Sequence, residues 1–532
     1  MVHYGRFLKR HTGVSVFERK EMAKRSAKMA KFCVIALVAL MVIAGTALSC
    51  FSASESFQSA YFSFCAWIMK KCANRGSPTA QNYLGYAYEY GIGVETNDVE
   101  SARWYRMAAK SGVAAAQYKL AMMYQTGCGV NEDPARAVVL LRKAAAQGHI
   151  LAQNRLGLAY EKGHGVAKDY GEAKRWYRKA AMRGYARAQN NLGLMYKFRN
   201  GGPPDYEEAA KWFRLAADQG YARAQCSLGI SYRDGLGVKR DYGEAVKLFR
   251  QSAEHGYATG QNHLGTMYRD GLGVKKDCVE AMKWYRKAAD DGDAWAQAQV
   301  GDFYFFGLGV EKNETVALKW YRESAENGSE VGQRRLGWML EYSKSVKRDY
   351  LEAAKWFLKA SEQGDADGQF NLGIMYEYGR GVKRNALEAE KWYRKAAEQG
   401  HADAQNNLGV MLSEGKGVAS NEVEGVKWYR KAAESGNCLA QGNLGMMLRE
   451  GRGVAANYAE AMEWCMKAAK RGNRDAMEQI GKMYEYGQGV ATNEAEAAKW
   501  YGKAAEKGNK DAKAALQALQ ERQKTERTSE AK

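Results

Sequence analysis

Apolar residues recur along most of the chain in pairs of short stretches, and each stretch has the spacing of one helix face. In the copy that begins at Ala366, the first stretch is marked by Gln369, Leu372, Met375 and Tyr376. Glycines at 379 and 381 then interrupt the pattern and predict a tight turn after the first helix. The second stretch places a further apolar set on one face: Ala389, Trp392, Tyr393, Ala396 and Ala397. The unit therefore predicts two helices joined by a glycine turn.

The pattern returns every 36 residues without a slip, as its Leu-Gly pair shows. Twelve copies follow one another between residues 77 and 508. The pairs are Leu84-Gly85, Leu120-Ala121, Leu156-Gly157, Leu192-Gly193, Leu228-Gly229, Leu264-Gly265, Val300-Gly301, Leu336-Gly337, Leu372-Gly373, Leu408-Gly409, Leu444-Gly445 and Ile480-Gly481. A strict period of this length predicts one continuous array of stacked helix pairs rather than several separate domains.

A glycine inside the first helix is unexpected, because it costs about 1 kcal/mol relative to alanine. Eleven of the twelve copies nevertheless keep it, as Gly373 does. We expect the two helices to approach closely there, with the tryptophan of the second helix packed nearby. Ten of the thirteen tryptophans occupy that second-helix position, and Leu140 and Leu248 take the other two places.

The full unit reads A-x-A-Q-x-x-L-G-x-x-Y-x-x-G-x-G-V followed by A-x-x-W-Y-x-K-A-A-x-x-G, and it resembles the Sel-one-like repeat. That family is a subclass of the tetratricopeptide-like superfamily. The resemblance implies an all-α fold, a right-handed α-solenoid of about twelve 36-residue helix-turn-helix repeats. It also implies a non-catalytic scaffold that binds protein partners, although a fold alone does not decide function.

The N-terminal region differs from the repeats. Residues 1–31 carry nine Lys and Arg against two Glu, and residues 32–51 form a nearly unbroken apolar run. Such a run is either a signal peptide or a transmembrane anchor, and a start at Met22 or lipidation at Cys50 are open alternatives. The basic flank favours a cytoplasmic N-terminus. We therefore expect an extracytoplasmic protein, periplasmic or secreted, or anchored in the membrane by residues 32–51.

Partial units flank the array. Residues 55–76 resemble a lone second helix, because Ala66, Ala73 and Gly76 are in phase with later copies, and we interpret them as an N-terminal capping helix. Residues 509–532 predict a C-terminal capping helix and a charged tail. Two inner turns are irregular, at residues 197–206 and 342–346. These turns reflect either sequence drift in exposed loops, or a local change in superhelix curvature or a contact site.

No constellation of residues predicts catalysis. The nine cysteines share no repeated spacing, and the seven histidines form no metal motif, so we expect neither a cofactor nor a metal. Ser413 and Lys416 match the S-x-x-K motif of penicillin-binding enzymes, but no S-D-N or K-T-G accompanies them. We expect no enzyme, and the alternative is a cell-envelope hydrolase that acts on the cell wall or on β-lactams.

The chain is basic, with a formal net charge of +20, of which residues 1–31 supply seven. The remaining excess of thirteen is spread over the second helices, where acidic residues three positions earlier pair with many lysines, as Glu388 does with Lys391. A charge this dispersed is typical of solvated helix faces. We expect no nucleic acid among the partners, and a nucleic-acid-binding solenoid is the second alternative.

The copies differ from one another mainly at the positions of the first helix that vary between repeats, and these positions are the candidates for specific binding. By resemblance to tetratricopeptide arrays, positions equivalent to 79, 82, 83, 86, 89 and 90 line the concave face, where most copies hold polar residues. In the middle of the array they become aromatic, at Trp295, Phe305, Phe306, Trp338, Tyr342, Phe370 and Tyr378. Aromatic residues outside a core are enriched at binding hot spots. We predict a protein-binding site here, and packing against neighbouring helices is the alternative.

Overall fold

The computed structural model describes residues 55–198 and 202–530. These residues form 26 α-helices and no strand, which confirms the all-α prediction. None of the described helices combines the length and the apolar content that a membrane crossing requires. The predictions for residues 1–31, for the apolar run 32–51 and for Cys50 lie outside the described residues and stay predictions.

The described helices fall into two compact units, which divide between residues 240 and 241. The helices of the first unit are α1 Glu55–Asn74, α2 Pro78–Tyr90, α3 Asp98–Lys110, α4 Ala114–Thr126, α5 Pro134–Ala146, α6 Ile150–Lys162, α7 Tyr170–Ala181, α8 Ala186–Lys197, α9 Tyr206–Ala217 and α10 Ala222–Asp234. Those of the second unit are α11 Tyr242–Glu254, α12 Ala258–Asp270, α13 Cys278–Asp290, α14 Ala294–Phe306, α15 Glu314–Glu326, α16 Glu330–Tyr342, α17 Tyr350–Glu362, α18 Ala366–Tyr378, α19 Ala386–Glu398, α20 Ala402–Glu414, α21 Glu422–Glu434, α22 Cys438–Glu450, α23 Tyr458–Lys470, α24 Arg474–Tyr486, α25 Glu494–Glu506 and α26 Lys510–Glu530.

Within each unit, consecutive helices pack on one another, so each unit is a solenoid-like array of helix pairs. We number the copies from the pair α2–α3, so that the seventh, eighth and ninth copies begin at residues 294, 330 and 366. The buried residues form one core layer after another rather than a central core.

Short sequence signals define where the second helix of each copy begins and where most first helices end. The N-cap of the second helix is always Asp or Asn, and in the ninth copy the Asn385 side chain accepts hydrogen bonds from the backbone N–H groups of Leu387 and Glu388. Such a cap stabilises a helix by about 1 kcal/mol. The first helix of that copy ends at Gly379, which adopts the left-handed conformation with φ of 69°. Because these capping residues recur with the repeat, most helices begin and end at equivalent positions in successive copies.

The second glycine of the regular turns has an additional role. A Cβ at Gly381 would lie 1.9 Å from the backbone oxygen of Tyr350, at the start of the second helix of the preceding copy. The turn therefore packs its backbone directly against the neighbouring copy, and no side chain fits between them. The sequence predicts only the chain reversal here, whereas the structure adds this contact between copies.

The glycine inside the first helix accommodates a different ring from the one expected. A Cβ at Gly373 would lie 2.6 Å from the ring of Tyr393, and the same clash recurs between Gly157 and Tyr177. Tyr393 is fully buried, and Trp392, which is 7% exposed, packs in the core of the eighth and ninth copies. The tryptophan packs near this glycine as expected, but the ring that leaves no room for a Cβ is that of the tyrosine after it.

The second copy supports this explanation from within the chain. It has Ala121 where the other copies have glycine, and it has Leu141 where Tyr393 stands in the ninth copy. Both residues are fully buried. A methyl group is thus accommodated where the opposing aromatic ring is replaced by a smaller aliphatic side chain, as close packing requires.

Candidate protein-binding site

The seven predicted residues lie in the second unit with different degrees of exposure. Four of them are prominent at the surface: Phe306 at 56%, Trp338 at 38%, Tyr342 at 40% and Tyr378 at 61%. Trp295 is 36% exposed and contacts the ring of Tyr285 edge-on. Phe305 and Phe370 are half-buried.

Four of these rings form one connected surface, which we call the aromatic strip: Phe305, Phe306, Trp338 and Tyr342. The ring centroids of Phe305 and Phe306 are 4.9 Å apart, and Phe305 meets Trp338 edge-on at 5.5 Å. Trp338 in turn lies 5.9 Å from Tyr342. The last turns of helices α14 and α16 thereby supply a continuous aromatic surface across two copies.

A rearranged hydrogen bond makes room for Phe305. In the ninth copy, Glu377 accepts the hydroxyl proton of the buried Tyr393 at 2.6 Å, and Phe305 occupies the place of Glu377 in the seventh copy. There Asp302, one helical turn earlier, accepts from Tyr321 at 2.6 Å instead. Burial and the Asp302 carboxylate raise the pKa of the Tyr321 hydroxyl well above its ordinary value. The hydroxyl of the buried Tyr321 thus has a hydrogen-bond acceptor although Phe305 replaces the glutamate.

The eighth copy also lacks the hydrogen bond between this glutamate and a buried tyrosine, for a different reason. Its second helix has Phe357, which has no hydroxyl, so Glu341 is not needed as an acceptor for a tyrosine. The Glu341 side chain is fully buried and instead accepts from Arg380 at 2.9 Å. The Arg380 guanidinium also lies 5.2 Å from the Tyr378 ring centroid. Sequence reasoning missed this ion pair, because its members lie in different copies.

The irregular turn after Tyr342 is held in place by side-chain hydrogen bonds. Ser343 has φ of −64° and ψ of 139°, in place of the left-handed glycine of other copies. Its hydroxyl donates to Glu314 at 2.8 Å and accepts from the backbone N–H of Ser345. Hydrogen bonds from Ser345, Lys312 and Ser343 lower the pKa of the Glu314 carboxyl. The turn beside the aromatic strip is therefore held by side chains where other copies use close backbone contact.

The comparisons with known proteins agree with this geometry. The Sel1 repeat model matches twelve consecutive segments, at residues 78–113, 114–149, 150–185, 186–221, 222–257, 258–293, 296–329, 331–365, 366–401, 402–437, 438–473 and 474–509. The chain belongs to the Sel1 repeat family. No curated protein matches the sequence.

Two solved structures are similar to this Sel1 repeat chain. One is c5321, a protective antigen of uropathogenic Escherichia coli with the same repeat fold, at 39% identity, with a TM-score of 0.54. The similarity covers 79% of this chain and 90% of that one. The other is a Sel1 repeat protein from Oxalobacter formigenes, at 36% identity, with a TM-score of 0.44, covering 58% of this chain and 90% of that one.

Three predicted site residues are not part of the aromatic strip: Trp295, Phe370 and Tyr378. The Phe370 ring stacks on His401 at 4.6 Å, lies 5.8 Å from Tyr393, and packs against the core of the ninth and tenth Sel1 repeats. Its position is buried in most other repeats, as Asn154 and Asn406 show. Phe370 is therefore mainly a packing residue, and Trp295 contacts Tyr285 rather than the strip.

The S-x-x-K match in the tenth Sel1 repeat does not have the geometry of a catalytic pair. Ser413 is buried at 5% exposure, whereas Lys416 forms an ion pair with Glu414 at 2.5 Å. The hydrogen bond with Glu414 raises the pKa of the Lys416 ammonium, and a lysine acting as a base needs a lowered pKa. Among the described residues, no group of three metal-ligating side chains is placed to hold an ion.

Proposed function

We propose that this Sel1 repeat protein is a non-catalytic scaffold that binds a protein partner through the aromatic strip. The observation that carries the proposal is the connected set of exposed rings at Phe306, Trp338 and Tyr342. Exposed aromatic rings in contact with one another are costly in water, and they supply the large, rigid contact area typical of binding hot spots.

Rearranged internal contacts support the same proposal. The seventh and eighth repeats lack the glutamate–tyrosine hydrogen bond of the ninth: Asp302 accepts from Tyr321 in the seventh, and Glu341 accepts from Arg380 in the eighth. The replacement in the seventh repeat places Phe305 where it joins Phe306 to Trp338 in the strip. The partner surface that fits is an apolar segment with a polar edge, because Lys312 lies beside the Phe305 ring and Arg380 interacts with Tyr342.

Capture followed by affinity measurement tests the proposal. The full chain, tagged at its C-terminus, is used to isolate partners from membranes, and binding is then measured for Phe306→Thr. Thr126 occupies the equivalent position in the second repeat, so this variant should fold. We expect at least a thirtyfold loss of affinity, about 2 kcal/mol.

The matched control is Tyr486→Thr. Tyr486 occupies the same repeat position in the twelfth repeat and is 62% exposed, but it lies outside the strip. We expect this variant to bind as the wild type does. Equal losses in the two variants would show that any exposed aromatic residue supports binding, and the strip would then not be the site.

The proposed location of the repeats is outside the cytoplasm. The basic flank before the apolar run supports it, and the similar Escherichia coli protein is described as a protective antigen. A C-terminal reporter enzyme that is active only in the cytoplasm should therefore be silent when fused to the full chain. Reporter activity in intact cells would contradict this part of the proposal.

A further inference from the structure

Helix α1 replaces an ion pair of the repeats with two exposed aromatic rings. Phe64 and Trp67 lie 36 residues before Glu100 and Arg103, which pair at 3.2 Å on the second helix of the first repeat. The equivalent residues pair in many later repeats, as Glu280 does with the lysine three positions on. Phe64 and Trp67 are 43% and 53% exposed. Where other second helices present a solvated ion pair, α1 thus presents aromatic surface.

The alignment of α1 with the second helices rests on contacts as well as on spacing. The Gln81 side chain donates to the backbone oxygen of Ala73 at 3.2 Å, as Gln117 does to Ala109 one copy later. Ala66 and Ala73 are buried against the first repeat. The aromatic pair therefore lies on the outer face of α1, away from the repeats.

The outer face of α1 is also strongly cationic. The two rings are stacked with centroids 6.0 Å apart, and the Lys71 ammonium lies 3.7 Å above the Trp67 ring. Lys70 and Arg75 are exposed beside them. No acidic residue occurs between Glu55 and Glu89, so these cations are not balanced along the chain. Aromatic rings with lysines at their edge are typical of helices that lie at a membrane surface.

We propose that the outer face of α1 lies on an anionic lipid membrane, with Phe64 and Trp67 among the headgroups and Lys70, Lys71 and Arg75 against lipid phosphates. This inference rests on the proposed extracytoplasmic location together with the alternative that residues 32–51 stay in the membrane as an anchor. The apolar run ends only four residues before α1 begins and would hold the helix at the bilayer. Each added cation near an anionic surface strengthens such binding. The face then positions the first repeat beside the membrane.

Quenching by brominated lipids tests the inference in the full chain. The chain is reconstituted in vesicles with brominated phosphatidylcholine and phosphatidylglycerol, and the quenching of wild type is compared with that of Trp67→Phe. The difference isolates Trp67 among the thirteen tryptophans. We expect a quenched component that disappears in Trp67→Phe and weakens in vesicles of phosphatidylcholine alone.

The decisive variant is Phe64→Glu combined with Trp67→Lys, which restores the ion pair of the later repeats and so should preserve the helix. We expect this variant to attach to vesicles through residues 32–51. In the wild type, lipid should slow hydrogen exchange in α1, and in the variant this protection should be lost. Attachment of the wild type without quenching of Trp67 would overturn the inference and leave the anchoring proposal intact. Failure to attach at all would overturn both, and shielding of Trp67 that rises with protein concentration would identify a second copy instead.

Discussion

The ninth repeat and its two predecessors use the same backbone positions for different purposes. In the ninth, Glu377 closes a buried hydrogen bond with Tyr393. In the seventh, Asp302 takes over that bond and an aromatic ring stands in the glutamate's place, while in the eighth Glu341 pairs with Arg380. The comparison teaches that a repeat keeps its core while its polar contacts move, and that Phe305, which takes the glutamate's place in the seventh repeat, becomes part of the aromatic strip.

The largest expected effect is in the regular repeat. Trp392→Ala should lower the free energy of unfolding by about 3–5 kcal/mol, because the ring is 7% exposed and belongs to the core of the eighth and ninth repeats. Chemical denaturation measures the loss, and hydrogen exchange should locate the weakened structure in adjacent repeats. A loss below about 1 kcal/mol would show that the ring contributes little to this core.

The next effect concerns the glycine under Tyr393. Gly373→Ala should destabilise by about 1–3 kcal/mol despite the better helix propensity of alanine, because the added methyl group overlaps the ring. Adding Tyr393→Leu recreates the pair Ala121 and Leu141 of the second repeat. A double-mutant cycle should then give a favourable coupling of at least about 1 kcal/mol. Simple additivity would mean that the ring is not what excludes the methyl group.

A smaller loss is expected where the eighth repeat relies on the ninth. Arg380→Gln leaves the Glu341 carboxylate buried without its cation, and we expect a loss of about 1–2 kcal/mol. The loss should be below that of a fully buried pair, because Arg380 is 38% exposed and water can partly replace it. Arg384→Gln is the control, since Arg384 is exposed and bonds only a backbone oxygen. Equal losses in both variants would rule out a special role for the buried carboxylate.

The smallest expected effect is on acid stability. Arg394 lowers the pKa of the Glu424 carboxyl below its ordinary value of 4.5, so this pair contributes stability above that pH and loses it as pH falls through the folded-state pKa. The eighth repeat has Leu358 where Arg394 stands. Arg394→Leu should therefore flatten the decline of stability below about pH 4.5, measured by denaturation at several pH values. An unchanged slope would contradict the assignment.

The sequence predicts the fold far better than the site, for physical reasons. Helix ends depend on local signals such as Asn385 and Gly379, and the sequence of a single copy is enough to recognise them. Which of two adjacent rings faces Gly373 depends on about 100° of helix rotation, and only the paired change at Ala121 and Leu141 signals the answer.

The site depends on contacts between copies. Glu341 and Arg380 are 39 residues apart, and nothing in the local pattern pairs them. Phe370 is predicted at the surface, but it stacks on His401 at the end of its own repeat and is half-buried. The exposed aromatic residues at Phe306, Tyr342 and Tyr378 are predicted from sequence, because each ends a first helix at the same repeat position. Their role in binding stays a prediction.

The affinity of Trp338→Leu for the captured partner tests the central claim most directly. Leu158 and Leu194 occupy the same position in other repeats, so the variant should stay within about 1 kcal/mol of wild-type stability. If the strip is the binding site, affinity should fall about thirtyfold or more while the unfolding transition hardly moves. Unchanged affinity, or a loss of stability comparable to that of Trp392→Ala, would show that Trp338 is ordinary core and that the partner binds elsewhere.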